Sequence, residues 1–195
     1  MPVPICLFTY NRLEELQQTV DALKRNFMAC ESELFIFSDG AKKTADKRKV
    51  DEVRSYLKTI SGFKSVSVEE STVNQGLANS VISGVSQIVH RYGKAIVLED
   101  DLVTAPNFLS FLNQALDYYQ GHPRIMSVSG YTMDLPSLRN YKPDFYLGYR
   151  AASWGWGIWK DRWELVDWNV KSYGSFKWNL LRQVQFMRGG VDMPY

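Results

Sequence analysis

Cysteine is scarce in this chain. There are two, Cys6 inside an apolar run and Cys30 near an expected helix end, and no C-x-x-C spacing. That excludes a disulfide framework and a thiolate metal cluster, and two buried or idle thiols in a reducing compartment are expected. Histidine is equally rare: His90 and His122 have no companions at metal-ligand spacing and are read as surface or helix-end residues. No apolar run approaches the roughly 20 residues that a membrane-spanning helix needs. Met1-Pro2-Val3-Pro4 places no basic segment ahead of the first apolar stretch, which argues against a signal peptide. An excess of one charge is missing too, since the net charge of +2 is too small to imply a nucleic-acid partner. Repeats and low-complexity linkers are absent. What remains is one domain over residues 1–195, expected to be soluble and cytoplasmic, with no transmembrane segment and at most a peripheral place at a membrane.

Strand and helix patterns alternate along most of it. Residues 3–8 are an apolar strand ending in the polar turn Thr9-Tyr10-Asn11-Arg12. Asn11 with Glu14 has the form of a capping box, and Leu13, Leu16, Val20, Leu23 and Phe27 follow at helical spacing. A second strand over 34–37 ends in Ser38-Asp39-Gly40. The charges of 41–54, from Lys42 to Arg54, read as the solvated face of a helix whose dry face is Val50, Val53, Leu57 and Ile60. A short strand over 65–68 leads to Asn74-Gln75-Gly76, where a helix begins with Leu77, Val81, Val85, Ile88 and Tyr92 as its buried stripe. Residues 95–98 form the next strand, Pro106 introduces another helix, and 125–129 is a further strand. The order βαβαβαβαβ predicts a mostly parallel sheet with helices on both faces.

Chemistry is expected at Glu99-Asp100-Asp101, where an apolar strand stops at three consecutive carboxylates. Ligands of open α/β sheets bind beyond the carboxyl ends of strands, and Asp39 ends another strand on the same edge. Three adjacent carboxylates repel one another unless a cation, a hydrogen-bond cage or open water compensates. Metal binding and a solvated acidic turn are both open at this point. After Gly130 the character changes: 144–147 is a possible strand, and all six tryptophans lie between 154 and 178. Trp159, Trp163 and Trp168 suit core packing, whereas Trp154 and Trp156, interleaved with glycines, suit a ligand contact. The ending Gly189-Gly190-Val191-Asp192-Met193-Pro194-Tyr195 completes no element, and a longer natural chain is expected.

Residues 4–12 (PICLFTYNR), Ser38-Asp39-Gly40, Asn74-x-Gly76 and Glu99-Asp100-Asp101 together resemble, in order, the strand-end motifs of GT-A type glycosyltransferases. The EDD form, with Trp-Gly-Trp-Gly about fifty residues later, is similar to the N-acetylglucosaminyltransferase I branch and to bacterial family-2 sugar transferases. The resemblance implies a Rossmann-like GT-A fold, with residues 1–130 as the nucleotide-sugar and metal half and 131–195 as the acceptor half. It implies a sugar-transferring enzyme of polysaccharide biosynthesis, inverting, with Mn²⁺ or Mg²⁺ as cofactor. The donor would be a nucleotide sugar, most simply a UDP-sugar, and the acceptor a glycan or lipid-linked glycan.

By the same resemblance Asp101 is the metal ligand, Asp100 approaches the ribose or metal-bound water, and Glu99 lies nearer the sugar. Asp39 accepts from the base, Thr9, Asn11 and Arg12 line the nucleotide pocket, and Asn74 and Gly76 stand close to it. The ligand that Trp154 and Trp156 would contact is then the sugar or acceptor. The base that takes the acceptor's proton would be Asp192, with Asp161 and Glu164 as alternatives. Two rivals stay open. One is a sugar-1-phosphate nucleotidyltransferase, whose Gly-rich loop after the first strand is absent here; the other is a non-catalytic carbohydrate-binding or scaffold domain of the same fold.

Overall fold

The computed structural model describes residues 1–132, 134, 135 and 138–187. In chain order its elements are β1 (Ile5–Thr9), α1 (Leu13–Lys24), β2 (Glu33–Ser38), α2 (Lys47–Leu57), β3 (Ser65–Glu70), α3 (Leu77–Tyr92), β4 (Lys94–Glu99), α4 (Phe108–Tyr118), β5 (Val128–Ser129), β6 (Trp156–Trp159), α5 (Lys160–Trp163), α6 (Tyr173–Phe176) and α7 (Leu180–Phe186). Six strands form one sheet in the order β3-β2-β1-β4-β6-β5. The first four named in that order run parallel, with Phe8 paired to Phe37 on one side and to Glu99 on the other. β6 is antiparallel to β4 and to β5. The sheet is therefore mostly parallel and carries helices on both faces, as the alternating pattern predicts.

The two-residue period of the strands divides the core. Ile5 and Leu7 of β1 point to one face, where Leu16, Val20 and Leu23 of α1, Val53 and Leu57 of α2, and Leu109, Leu112 and Leu116 of α4 pack. Cys6 and Phe8 point to the other, against Val85, Ile88 and Val89 of α3 and Trp163 of α5. Gly84 allows α3 to approach the sheet, because a Cβ there would lie 2.9 Å from the Phe8 ring and 3.0 Å from Phe37. Those two rings stack with centroids 5.0 Å apart. The order of connection reverses between β1 and β4, which makes their carboxyl ends the topological switch point of the sheet. Among the described residues no helix is long and apolar enough to cross a membrane.

Several expectations are corrected. Asn11 does not cap α1: Arg12 holds the N-cap position and no side chain caps the helix. α1 ends at Lys24, so Phe27 falls outside its stripe and is 72% exposed. Leu77 opens α3 ahead of the turn that meets the sheet and is also exposed. The strand expected at 125–129 shrinks to β5, while 144–147 forms no strand. The unforeseen strand is β6, where Gly157 leaves room for Leu116 of α4, whose side chain a Cβ there would meet at 2.8 Å. Cys6 is buried, and that burial raises its thiol pKa; Cys30 is exposed, and both thiols are free. Trp159 and Trp163 are core residues as expected; Trp168 is 42% exposed and covers Trp163 from outside.

Arg162 locks β6 and α5 to the end of α4. Its buried guanidinium lies over the Trp159 ring, donates to Gln120 O at 2.8 Å, and meets both carboxylate oxygens of Asp161 at 2.8 and 2.6 Å. Trp159 Nε1 donates to Leu116 O at 2.9 Å beside it. These bonds to Arg162 hold the Asp161 carboxyl below its ordinary range. A depressed carboxyl adds stability above its unfolded-state pKa and loses it as pH falls through the folded value. Asp161→Asn should therefore cost about 1 kcal/mol of unfolding free energy at pH 7, a figure reduced for the solvent exposure of Asp161. In urea titrations the difference from the parent protein should shrink below about pH 4.

Candidate functional site

At the switch point three strand ends are tied to one another. Asp39 N–H, following β2, donates to Thr9 O at the end of β1, at 3.0 Å. Thr9 Oγ1 donates to Asp100 Oδ2, following β4, at 2.9 Å, and Tyr10 N–H donates to the same oxygen at 3.3 Å. Arg12 Nη2 bonds the other Asp100 oxygen, and Arg12 Nη1 donates to Asp101 Oδ2 at 2.9 Å. Asp100 is 2% exposed, so its charge is sustained by these donors and not by water. Asp101 has a half-exposed side chain. The Glu99 carboxyl is pushed above its ordinary range by burial first, then by the charges of Asp101 and Asp100, with Arg12 offsetting part of this. Burial alone would lower the Arg12 pKa; the two aspartates more than reverse that and raise it.

Asp39 forms the second half of the site. Its Oδ1 accepts from Gly40 N and Gln75 N, both at 2.8 Å, while Oδ2 accepts from Gly76 N at 2.9 Å and from Asn74 Nδ2 at 3.0 Å. Asn74 Nδ2 also donates to Gly40 O at 2.8 Å. A buried carboxylate thus gathers the loop that opens α3, and Gly76, at φ 77°, supplies the left-handed residue that starts the helix. Gly40 has no room for a side chain, since a Cβ would sit 2.5 Å from the Val73 backbone. A cleft of about 210 Å³ opens beside Asp39, bounded by Glu69, Glu70, Ser71, Gln75 and Gln87. Tyr10 braces the front: its hydroxyl donates to Asp46 Oδ2 at 3.0 Å and accepts from Lys42 N at 2.8 Å.

Thr9, Arg12, Asp39, Asn74, Gly76, Glu99, Asp100 and Asp101 are therefore carried to one edge of the sheet, with Asn11 between Tyr10 and Arg12 in the same turn. Trp154 stands beyond the Trp156 end of β6, the end nearest Glu99; it is 47% exposed, with its ring edge-on to Tyr131 at 4.6 Å. Trp156 is half-buried and stacks on Trp163 at 6.0 Å, so most of its surface serves packing. Asp161 and Glu164 follow β6 beside Gly93, at the opposite end of β4 from Glu99, and line a larger cavity of about 470 Å³ there. Asp161 is engaged by Arg162, and Glu164 lies 3.2 Å from His90. Asp192 lies outside the described residues.

Two contributors were not singled out beforehand. Tyr10 stood unremarked in the turn. Arg54, grouped with the solvated charges, has a largely covered side chain whose Nη2 donates to Ser71 O at 2.7 Å. Its spacing held the signal: it sits four residues after Val50 and three before Leu57, on the dry stripe of α2.

The donor set at the switch point is chemically suited to a hard divalent cation. Mg²⁺ and Mn²⁺ prefer carboxylate oxygens and often take only one or two from protein, completing their shell with phosphate and water. Among the described residues no three Asp, Glu, His or Cys side chains converge on one point, so a cation at Asp100 and Asp101 would need such further oxygens.

A parallel sheet with carboxylates clustered at its switch point defines an α/β protein of the kind that binds ligands on the carboxyl edge. The chain belongs to glycosyl transferase family 2, whose family model matches residues 5–188. Among solved structures it is similar to a mannosyltransferase from Pyrobaculum calidifontis in complex with GDP-Man and Mn²⁺, at 15% identity and a TM-score of 0.46, over 68% of this chain and 36% of that one. It is also similar to TarS of S. aureus, at 13% identity and TM-score 0.45 over 62% and 20%, and to a nucleotide-diphospho-sugar transferase from Desulfovibrio desulfuricans G20, at 14% and 0.43 over 86% and 70%. The chain thus spans about a third and a fifth of the first two. No curated protein sequence matches it.

The unequal burial of the two aspartates yields a stability test. Asp100→Ala strands the Thr9 hydroxyl and Tyr10 N–H and should cost about 2–3 kcal/mol. Asp101→Ala removes an exposed pair and should change stability by less than about 0.5 kcal/mol. Urea denaturation monitored by tryptophan fluorescence measures both.

Proposed function

We propose that this protein transfers a sugar from a nucleotide-diphosphate donor, in the first instance a UDP-sugar, to the hydroxyl of a glycan or lipid-linked glycan. The observation that carries the reading is the Asp100–Arg12–Asp101 arrangement at the switch point, within a chain of glycosyl transferase family 2. Family membership supports sugar transfer over nucleotidyl transfer. The finer likeness to the N-acetylglucosaminyltransferase I branch rests on Glu99-Asp100-Asp101 and Trp154-Gly155-Trp156-Gly157 alone.

In this reading residues 1–130 hold the donor and 131–195 face the acceptor. Asp101, with Asp100 behind it, would hold Mn²⁺ or Mg²⁺, which stabilises the negative charge developing on the departing diphosphate. Arg12, half-exposed at this edge, would pair with phosphate oxygens of the donor. Asp39 and the Asn74–Gly76 turn it organises, with Thr9 and Asn11, form the nucleotide side. Glu99 lies toward the sugar and Trp154 toward the acceptor, with Trp156 behind it. For an inverting reaction a carboxylate, assigned to Asp192, takes the acceptor hydroxyl's proton. The acceptor oxygen then bonds to the anomeric carbon as the bond to the phosphate oxygen breaks, and the nucleoside diphosphate leaves with that electron pair.

Residues 168–187 support a peripheral place at a membrane, consistent with a lipid-linked acceptor. This stretch carries Lys171, Lys177 and Arg182 with no acidic residue and exposes Trp178, Leu180 and Leu181. Vesicles containing anionic lipid should pellet the protein and neutral vesicles should not; equal behaviour with both removes the membrane assignment.

Calorimetric titration with UDP and with GDP, with and without Mn²⁺, tests the donor site. UDP should bind in a metal-dependent manner, and Asp101→Ala should weaken it by about tenfold or more, equivalent to about 1.4 kcal/mol. Binding indifferent to metal, or no binding of either nucleotide, would sink the reading.

A further inference from the structure

We propose that Arg54 is a positioning residue of the donor site, fixing from α2 the backbone from which Asp39 and the turn at 74–76 project. The inference rests on the reading of that turn as part of a nucleotide-sugar site. Its basis is a set of contacts that a solvated helix charge would not make. Lys42, Lys43, Lys47, Arg48 and Lys49 of the same segment are exposed, and Arg48 pairs along the surface with Glu52. Arg54 instead turns its guanidinium onto the carboxyl ends of two adjacent strands. Nη2 donates to Ser71 O at 2.7 Å and lies 3.4 Å from both Ser38 O and Asp39 O, while Nε lies 3.3 Å from Ser38 Oγ. Nη1 is 3.5 Å from Glu70 Oε2.

These acceptors stand where the β2–β3 ladder runs out, its last pair being Ser38 with Glu70. Ser38 O still accepts from Ser71 N–H at 2.9 Å, whereas Asp39 O and Ser71 O lie past the last ladder bond, and carbonyls there require another donor. A planar fork with five N–H groups can serve several at once, which a lysine ammonium on a flexible stem cannot do with the same geometry. The consequence falls on Asp39. Its N–H donates to Thr9 O at 3.0 Å and its C=O lies 3.4 Å from Arg54 Nη2, so the two peptide units flanking Asp39 are each restrained and the carboxylate is aimed at Gly40, Asn74, Gln75 and Gly76. Arg54 reaches the site through Asp39 and the Ser71 backbone.

Arg54→Met keeps the length of the stem and removes the donors; Arg54→Lys keeps the charge and loses the fork. Hydrogen exchange followed by mass spectrometry should show the amides of Gln75 and Gly76 opening about tenfold faster in Arg54→Met, with β1 amides unchanged. UDP affinity in the presence of Mn²⁺ should fall about tenfold, and Arg54→Lys should recover part of both effects. In an Asp39→Asn background, Arg54→Met should weaken UDP by less than about twofold, because both changes act on one path. Uniformly faster exchange across the sheet, with additive losses in the double variant, would identify a general structural role and overturn the proposal. So would unchanged exchange at 74–76. Should Arg54→Met not fold, the same readouts on Arg54→Lys decide. If the parent protein binds no UDP, the donor-site reading fails by itself, while the exchange measurement still judges Arg54.

Discussion

A buried negative charge at the switch point organises this molecule. Asp100 is withdrawn from water at the end of β4, and an uncompensated carboxylate there would cost several kcal/mol. Among the described residues its compensation comes from the other side of the crossover: the Thr9 hydroxyl, the Tyr10 amide and the Arg12 guanidinium. Meeting that demand aligns the end of β1 with the end of β4 and sets where α1 can begin. Arg12, as N-cap residue, is held by its side chain to the neighbouring strand end and leaves the helix terminus uncapped. The unmet cap and the met carboxylate are two sides of one geometric choice.

Asp39 repeats the device with different donors. Where Asp100 is neutralised by a cation, Asp39 is solvated by three backbone amides and one side-chain amide, and the donors are the loop itself. One carboxylate fixes strands and the other fixes a turn, which leaves Asp101 and Glu99 as the acidic groups with spare capacity. Their environments differ: Asp101 has solvent and half of Arg12, whereas Glu99 has burial and two like charges and holds its proton more tightly. A cationic or phosphate-bearing ligand arriving at this edge meets charge already poised to be redistributed.

Much of this was legible in the residues. Strands with apolar runs and helices with three-four spacing lie where their patterns place them, because burial on both sides of a parallel sheet leaves a strong signature, and acidic groups at strand ends mark the ligand edge. What was hidden shares one cause: the deciding partner is distant in sequence. β6 is rich in tryptophan and glycine and has neither alternation nor a β-branched run; its pairing with β4 and β5 makes it a strand, and Gly157 leaves Leu116 the room that this placement needs. Asn11 and Glu14 have cap chemistry, but Arg12 takes the cap position, its side chain drawn to Asp100, 88 residues away. Phe27 and Leu77 continue a helical period past the point where the helix still faces the sheet. Arg54 has a charge that suggests solvent and a position that indicates burial, and position decided.

The antiparallel insertion of β6 between β4 and β5 also bears on how the chain is made. Among the described residues β5 pairs only with β6, so it joins the sheet through a strand that is synthesised later. From Glu99 to Trp159 about 60 residues emerge while the outer edge of β4 stays open. At roughly 5–20 residues per second that interval is on the order of 3–12 s. During it the nascent protein carries the four parallel strands with the unpaired apolar edge of β4 at their border, the kind of edge on which neighbouring chains on a polysome can seed mispairing. The tryptophan-rich segment thus covers the β4 edge late, and the sheet then ends in β3 and the two-residue β5 instead of in that apolar strand.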